Sequence, residues 1–543
     1  MSETYFVGVD VGTGSCRAAL VDSTGRVHKV QVKETKTWNP LPDHYEQSSD
    51  NIWRGICECV QTVTHDCPKE KIAGIGFDAT CSLVAVDKND KPLTVSTTGD
   101  NNQNIILWMD HRAGKEASQI NDTKHELLKC VGGKVSLEME IPKVLWLKSN
   151  LNEQCWSKVG KLFDLPDFLT WKCTGDDTRS LCSIVCKWNY DGINHTWSRD
   201  FFEKLGLTDL CENDFAILGK NVTTPGAAIG QGLNEQAARE LGLNVGTPVA
   251  GSMIDAHAGA LCLLGCHAEG VNESISSKMA LICGTSSCHM SVEKELIWAC
   301  GIWGPYKDAI FPGFYLHEGG QSTTGFLLDY IVKSHPAYKE ALENANKLHV
   351  FEYLNHQLFR MAKEQKLSSV HFLTEDFHVW PDLHGNRSPL ADSTIKGMIC
   401  GLTMSSTIDN LALTYLGFIQ ALSYGTRHIL DQLKESGRKP FHSLLICGGL
   451  RKNQLFVETH AEACALPVLV PDEEEMVLVG SAMLGACSAK VFPSLESASK
   501  GMSSRCAVVR PNPTLRNYHE RKYKVFRMMV EDQLKYKEIM YSS

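Results

Sequence analysis

Asp10, Gly12, Thr13, Gly14 and Ser15 stand together in VGVDVGTGSCRAALVD, where an apolar run breaks and then resumes. Glycines let backbone N–H groups converge on an anion, the two hydroxyls can donate further hydrogen bonds, and a carboxylate is what a magnesium ion needs. The combination suits a nucleotide phosphate, with a glycine-rich hairpin turn as the plain alternative. Two familiar phosphate motifs do not fit. Residue 17 is arginine where G-x-G-x-x-G needs glycine, and no G-x-x-x-x-G-K-[ST] occurs. A second apolar run, KMALICGTSSCHMSVE, breaks around Gly284, Thr285, Ser286 and Ser287, which makes a chance turn a poorer account of the first.

Other residues carry chemistry less openly. Asp255 lies in PVAGSMIDAHAGALCLLG, a small-residue and apolar stretch where an unpaired carboxylate is costly, so it is either a cap or ion-pair partner, or it works. His257 beside it reads as a packed histidine. Gly448 and Gly449 follow the apolar SLLIC and let the backbone approach a flat ligand or a phosphate, unless they form an ordinary strand-to-helix turn. Asp78 and Thr80 in GFDATCS, with Trp108, Asp110, His111 and Arg112 in LWMDHRAG, follow apolar segments and could ring a polyhydroxylated ligand. Solvated turns would account for each of them singly.

The elements that must hold these residues are legible in outline. Tyr5 to Val9, Arg17 to Asp22 and Arg26 to Val32 predict three strands in an antiparallel meander, followed by a helix over Asn51 to Val63. KIAGIGFDATCSLVAVD predicts strand, loop, strand, and the mixture implies an α/β layer structure. The second glycine-threonine loop opens a similar unit, which suggests duplication. The boundary falls near Gly265 to Ser277, giving domains of residues 1–268 and 269–543. Leu411, Tyr415, Phe418, Leu422, Ile429 and Leu433 predict a long amphipathic helix. HSLLICGGLRKNQLFVETHAEACALPVLVPDEEEMVLVGSAMLGA then reads as strand, glycine turn, helix, strand, acidic loop, helix.

Bulk properties narrow the class. A chain of 543 residues exceeds what one hydrophobic core usually serves, so two domains are expected. The net charge of −9, with Lys and Arg scattered, excludes an extended nucleic-acid face. No leader pattern and no uninterrupted apolar stretch of membrane-spanning length occurs, so a cytoplasmic protein without membrane contact is expected. The 21 cysteines show no C-x-x-C pair; Cys57 with Cys59, Cys182 with Cys186 and Cys262 with Cys266 have no second ligand pair nearby in the sequence, and they read as reduced, buried small hydrophobes.

In this order the segments resemble the FGGY family of carbohydrate kinases, in the actin-like ATPase superfamily, from about Tyr5 to Lys490. GVDVGTGSCRAALVD resembles its first phosphate loop, LFDLPDFLTWKCTG its D-x-L-x-x-x-L-T-G segment, GSMIDAHAGAL the stretch with the catalytic aspartate, and LICGTSSCHM the second phosphate loop. PDLHGNRSPLADSTIKGMICGL resembles the L-x-G-x-R-x-P-x-x-D segment, and CGGLRKNQLFVETHAEACALPV the adenosine motif. Cys16 stands where many relatives have serine, and Ser286-Ser287 where several have Gly-Cys or Gly-Thr. The segment EMEIPK, Glu138 to Lys143, occupies a place where relatives contact substrate and is left unassigned.

The resemblance implies two ribonuclease-H-like α/β domains with a cleft between them. It also implies ATP-dependent transfer of the γ-phosphoryl group to a hydroxyl of a small-molecule sugar, with Mg²⁺ as cofactor. Asp255 is then the general base. Asp10 and Asp255 serve the metal, while Asp10, Thr13, Gly14, Ser15, Arg17, Gly284, Thr285, Gly448, Gly449 and Asn453 serve the nucleotide. Asp78, Thr80, Trp108, Asp110, His111 and Arg112, with Asp255, line the sugar site. The likeness is closest to the pentulose kinase branch, which makes D-ribulose the expected substrate. Another ketose or a pentitol is the alternative, as is a non-catalytic nucleotide-binding regulator. Oligomeric state is left open.

Overall fold

The computed structural model describes residues 4–541. Its first sheet is built from β1 (Tyr5–Val11), β2 (Ser15–Asp22), β3 (Val27–Glu34), β4 (Ile72–Ala79) and β5 (Met253–Ile254), in the order β5-β4-β1-β2-β3. β1, β2 and β3 form the expected antiparallel meander, whereas β4 runs parallel to β1 and β5 parallel to β4. β1 is buried from Phe6 to Val11, consistent with a central strand covered on both faces. Helix α1 (Ser49–Thr64) starts at Ser48, whose side chain accepts a hydrogen bond from the Asn51 N–H.

The predicted strand–loop–strand over residues 71–87 holds, but its two strands enter different sheets. β4 joins the first sheet, while Leu83–Asp87 pairs with Val159–Asp164 and Ile105–Ile106 in a smaller five-stranded sheet. The loop between them, 80–82, therefore lies where two sheets diverge. A ligand can reach strand ends there.

A seven-stranded sheet forms the second half. It contains β6 (Lys278–Cys283), β7 (Ser287–Glu293), β8 (Trp303–Lys307), β9 (Tyr315–Gln321), β10 (Ser443–Cys447), β11 (Val468–Pro471) and β12 (Cys506–Val509), ordered β8-β9-β7-β6-β10-β11-β12. Its centre repeats the plan of the first sheet. A glycine loop joins the antiparallel pair β6 and β7, and β10 lies parallel to β6 as β4 does to β1. This is the expected pair of ribonuclease-H-like units, and we keep the division at residues 268 and 269 as a proposal for the two halves.

Between the sheets lie α2 (Asp255–Gly265) and, from far along the chain, α5 (Met476–Ser488); the long helix α3 (Ile408–Glu435) and α4 (Gln454–Cys464) cover the second sheet. The six apolar positions that predicted α3 are all buried. α5 crosses the first sheet in a groove made of glycines. A Cβ on Gly8 would stand 2.2 Å from the Leu478 carbonyl oxygen, one on Gly76 2.0 Å from that of Ser481, and one on Gly74 2.3 Å from that of Gly485. On its other side Gly480 faces the Ala258 carbonyl oxygen at 2.0 Å by the same measure, so α5 and α2 touch backbone to backbone. No helix among the described residues is long and apolar enough to cross a membrane. None of the 21 cysteines is in a disulfide.

Candidate active site

Each glycine loop is closed by a backbone hydrogen bond from its first glycine. The Gly12 N–H donates to the Ser15 carbonyl at 2.9 Å, and the Gly284 N–H to the Ser286 carbonyl at 2.9 Å. Gly14, Gly284 and Thr285 are exposed, and space lies open beside Gly14. The first loop is held from outside: Trp108 donates its indole N–H to the Thr13 hydroxyl at 3.0 Å, and Gln47 donates to the Thr13 carbonyl at 2.8 Å. Trp108 thus braces the first glycine loop.

Gly448 brings the third loop against the second. Its φ is 84°, and a Cβ there would stand 2.3 Å from the Cys283 carbonyl oxygen, while Gly449 has open space beside it. Gly448→Ala is expected to lower stability by about 1–3 kcal/mol from backbone strain alone. It is also expected to displace residues 283–285; thermal unfolding of variant and parent measures the loss, and equal midpoints would contradict this. Asn453 is committed to the scaffold. Its amide donates to the Tyr415 hydroxyl at 2.6 Å, and its oxygen accepts from Asn355 at 3.1 Å and caps α4.

Three carboxyl groups converge at the ends of β1, β4 and β5. The register sets Asp10 opposite Asp78 and Asp78 opposite Met253, two residues before Asp255. Asp10 is 1% exposed and ion-paired with Arg17, which also reaches Glu475 at 3.1 Å. Asp78 is fully buried, and neither of its oxygens receives a hydrogen bond. Burial first, then the charge of Asp10, holds its carboxyl well above the ordinary range. Asp255, half-buried, starts α2 and accepts a 2.7 Å hydrogen bond from the Ala256 N–H. Burial, followed by Asp10, lifts its carboxyl to about 7. Three acids thus face one guanidinium, and Asp78 has oxygens without donors. That donor set fits a hard divalent cation such as Mg²⁺.

Beside Asp255 lies a second buried charge cluster, which sequence reasoning missed. Lys187 and Glu318, each 2% exposed, are 3.6 Å apart. Glu318 also faces His257 at 3.5 Å and Arg387 at 3.4 Å, and Arg387 continues to Glu138 at 3.0 Å. The Lys187 ammonium and the Arg387 guanidinium lie over the Trp303 ring at 4.3 and 4.5 Å. Burial opposes the charge on Lys187, yet the Glu318 carboxylate more than offsets it and raises its pKa; burial likewise opposes the charge on Glu318, and Lys187, His257 and Arg387 together bring its carboxyl below the usual range. The ion pairs that join Lys187 and Glu318 to this cluster are 3.4 Å or longer, so both charges retain capacity for hydroxyl groups. One signal was available: Lys187 is the only charged residue in LCSIVCKWNY.

The other residues expected around a sugar divide. Asp78 joins Asp10 and Asp255. Thr80 and Ser82 share a buried 3.2 Å hydroxyl contact in the loop between β4 and the smaller sheet. Asp110 and Arg112 bind each other at 2.7 Å, and Arg112 also holds Glu46 at 2.8 Å and the Val95 carbonyl at 3.0 Å. Their charges are engaged with the scaffold. His111 stacks on His384 from the second half, ring centroids 6.1 Å apart.

Models of the FGGY family of carbohydrate kinases match both halves, the N-terminal domain over residues 5–262 and the C-terminal domain over 279–489. The chain belongs to the FGGY carbohydrate kinases. An FGGY carbohydrate kinase domain-containing protein of Xenopus laevis is 50% identical over 99% of this chain and 98% of its own length. A D-ribulokinase of Saccharomyces cerevisiae is 39% identical over 90% of this chain and 72% of its own. A xylulose kinase structure from Brucella ovis covers 98% of this chain and 99% of its own with a TM-score of 0.80 at 19% identity, and this FGGY kinase therefore shares its two-domain fold.

Proposed function

We propose that this FGGY kinase transfers the γ-phosphoryl group of ATP to a ketopentose, D-ribulose to D-ribulose 5-phosphate. The observation that carries the reading is the half-buried Asp255 carboxyl, poised near 7 between the acidic cluster and the Lys187–Glu318 pair. The 39% identity to a protein named D-ribulokinase supports the choice of sugar. Lys187 donates to a sugar oxygen and Glu318 accepts from a hydroxyl, which fixes the ketose with its terminal hydroxyl at Asp255. The O5 lone pair attacks the γ-phosphorus, the bond to the bridging oxygen of ADP breaks, and the O5 proton passes to Asp255. Mg²⁺, when bound, supplies neutralisation of phosphate charge. Asp10 and Asp78 are the residues that would hold it, directly or through water, with Asp255 at the edge of the site. Thr13, Gly14, Ser15, Gly284 and Thr285 present donors to the phosphates, Arg17 holds Asp10 in place through their ion pair, and Gly449 leaves room for the adenosine portion.

ADP release measured over ketoses, aldoses and pentitols tests this. D-Ribulose should stimulate turnover most; a larger kcat/KM for another ketose or a pentitol would reassign the substrate, and no stimulation by any sugar would favour a nucleotide-binding regulator. Acidity gives a second test. The base works only as carboxylate, so kcat/KM for the sugar should fall about tenfold per unit below pH 7 and level above it. A profile flat down to two units below that value would remove Asp255 from the role.

A further inference from the structure

The linear spacing of Cys182 and Cys186 offers a metal only two ligands. The fold supplies more. On the short helix Leu181–Lys187 the two thiols lie four residues apart and so share one face. That face meets α2, where the His257 Nε2 stands 3.6 Å from the Cys186 sulfur, and the three ligand atoms all lie within 4.8 Å of one another. Strand β9 adds a fourth: the Glu318 Oε2, 3.5 Å from the same His257 nitrogen, is buried and receives no hydrogen bond. All three of Cys182, Cys186 and His257 are fully buried.

We propose that Cys182, Cys186, His257 and Glu318 form a four-donor site for a zinc-type divalent ion, and that filling it withdraws Glu318 from the sugar. Around a tetrahedral zinc ion, sulfur, nitrogen and oxygen donors sit roughly 3.3–3.8 Å apart, so the observed separations need shifts of about 1 Å or less. Two sulfurs, an imidazole and one carboxylate favour zinc over magnesium, which takes oxygen donors. Charge also balances. Two thiolates and the carboxylate offset the ion and the neighbouring Lys187 ammonium, while Arg387 keeps Glu138. Binding releases the two thiol protons to solvent. The ion would enter by the same cleft as the sugar, because Glu318 belongs to both sites. The inhibitory part of the proposal rests on Glu318 as a sugar ligand; the binding part does not.

The test uses the full-length reduced protein with the exposed Cys300 and Cys400 changed to serine. Equilibrium dialysis against Zn²⁺ should find one tight equivalent, weakened at least tenfold in Cys182→Ser and in Cys186→Ala. With Co²⁺ as probe, the parent should show thiolate-to-metal charge-transfer absorption, a reading that needs no variant. Absence of that band, no tight equivalent in the parent, or equal affinity in both variants would overturn the site. One equivalent of Zn²⁺ should also cut sugar-stimulated ADP release at least tenfold in the parent, and much less in Cys182→Ser relative to that variant's own metal-free rate. Stoichiometric binding without inhibition would overturn the coupling to the sugar. Binding by a protein that no sugar stimulates would leave the ion site standing and remove the ketose reading instead.

Discussion

Asp255→Asn lowers sugar-stimulated ADP release by about 10²–10⁴, the share that a positioned general base contributes. On the proposed mechanism the amide cannot take the proton of the accepting hydroxyl, while the glycine loops and the Lys187–Glu318 pair remain, so binding of ATP and sugar should persist. The same variant is expected to be more stable. The folded-state pKa of about 7 lies above the ordinary 3.8, so the stabilising contribution of this carboxyl is complete below pH 3.8 and is lost as the pH rises through 7. At pH 8 the parent carries that full penalty, roughly 4 kcal/mol, and the amide does not. Thermal unfolding at pH 5 and pH 8 checks the sign: the variant's advantage should grow with pH. Full activity in the Asn variant would end the assignment of Asp255 as base.

Lys187→Met is expected to produce the second-largest effect, on substrate binding and on stability together. Removing one partner of a buried ion pair leaves the other charge uncompensated, which costs roughly 3–5 kcal/mol. Glu318 would keep only Arg387 and a neutral His257, whose burial holds its pKa near 4. The variant's KM for sugar should rise at least tenfold, with its KM for ATP nearly unchanged because the phosphate loops lie on other elements. Glu318→Gln combined with Lys187→Met should recover much of the stability and none of the sugar affinity. Recovery of both would make the pair purely structural.

The reach of the sequence varied with the kind of signal. Both glycine loops, α3 and the meander were readable because local periodicity and turn chemistry determine them: the six apolar positions of α3 and the Gly12 and Gly284 turns all appear where expected. Asp255 could be singled out because a carboxylate in small apolar surroundings contradicts its neighbours. Lys187 and Glu318 are 131 residues apart and meet only through sheet and helix packing, which no local pattern encodes. The same limit explains His257 beside Cys186. It also explains the hydrogen bond from the Trp108 N–H to Thr13, 95 residues away in the chain. Asp110 and Arg112 are two residues apart and bind each other, an outcome their spacing allowed but did not require.

The glycine groove that seats α5 has a consequence for how the chain is assembled. β1 and β4 leave the ribosome some 400 residues before the helix that covers them, and the contacts are backbone to backbone, so no other side-chain arrangement can fill the gap in the meantime. The first sheet must therefore wait, incompletely covered, for the last fifth of the chain. Its non-local closure leaves apolar surface of the maturing N-terminal half exposed until that helix arrives and couples its completion to that of its partner. Two units that look like tandem copies in sequence are, during synthesis, one cooperative object.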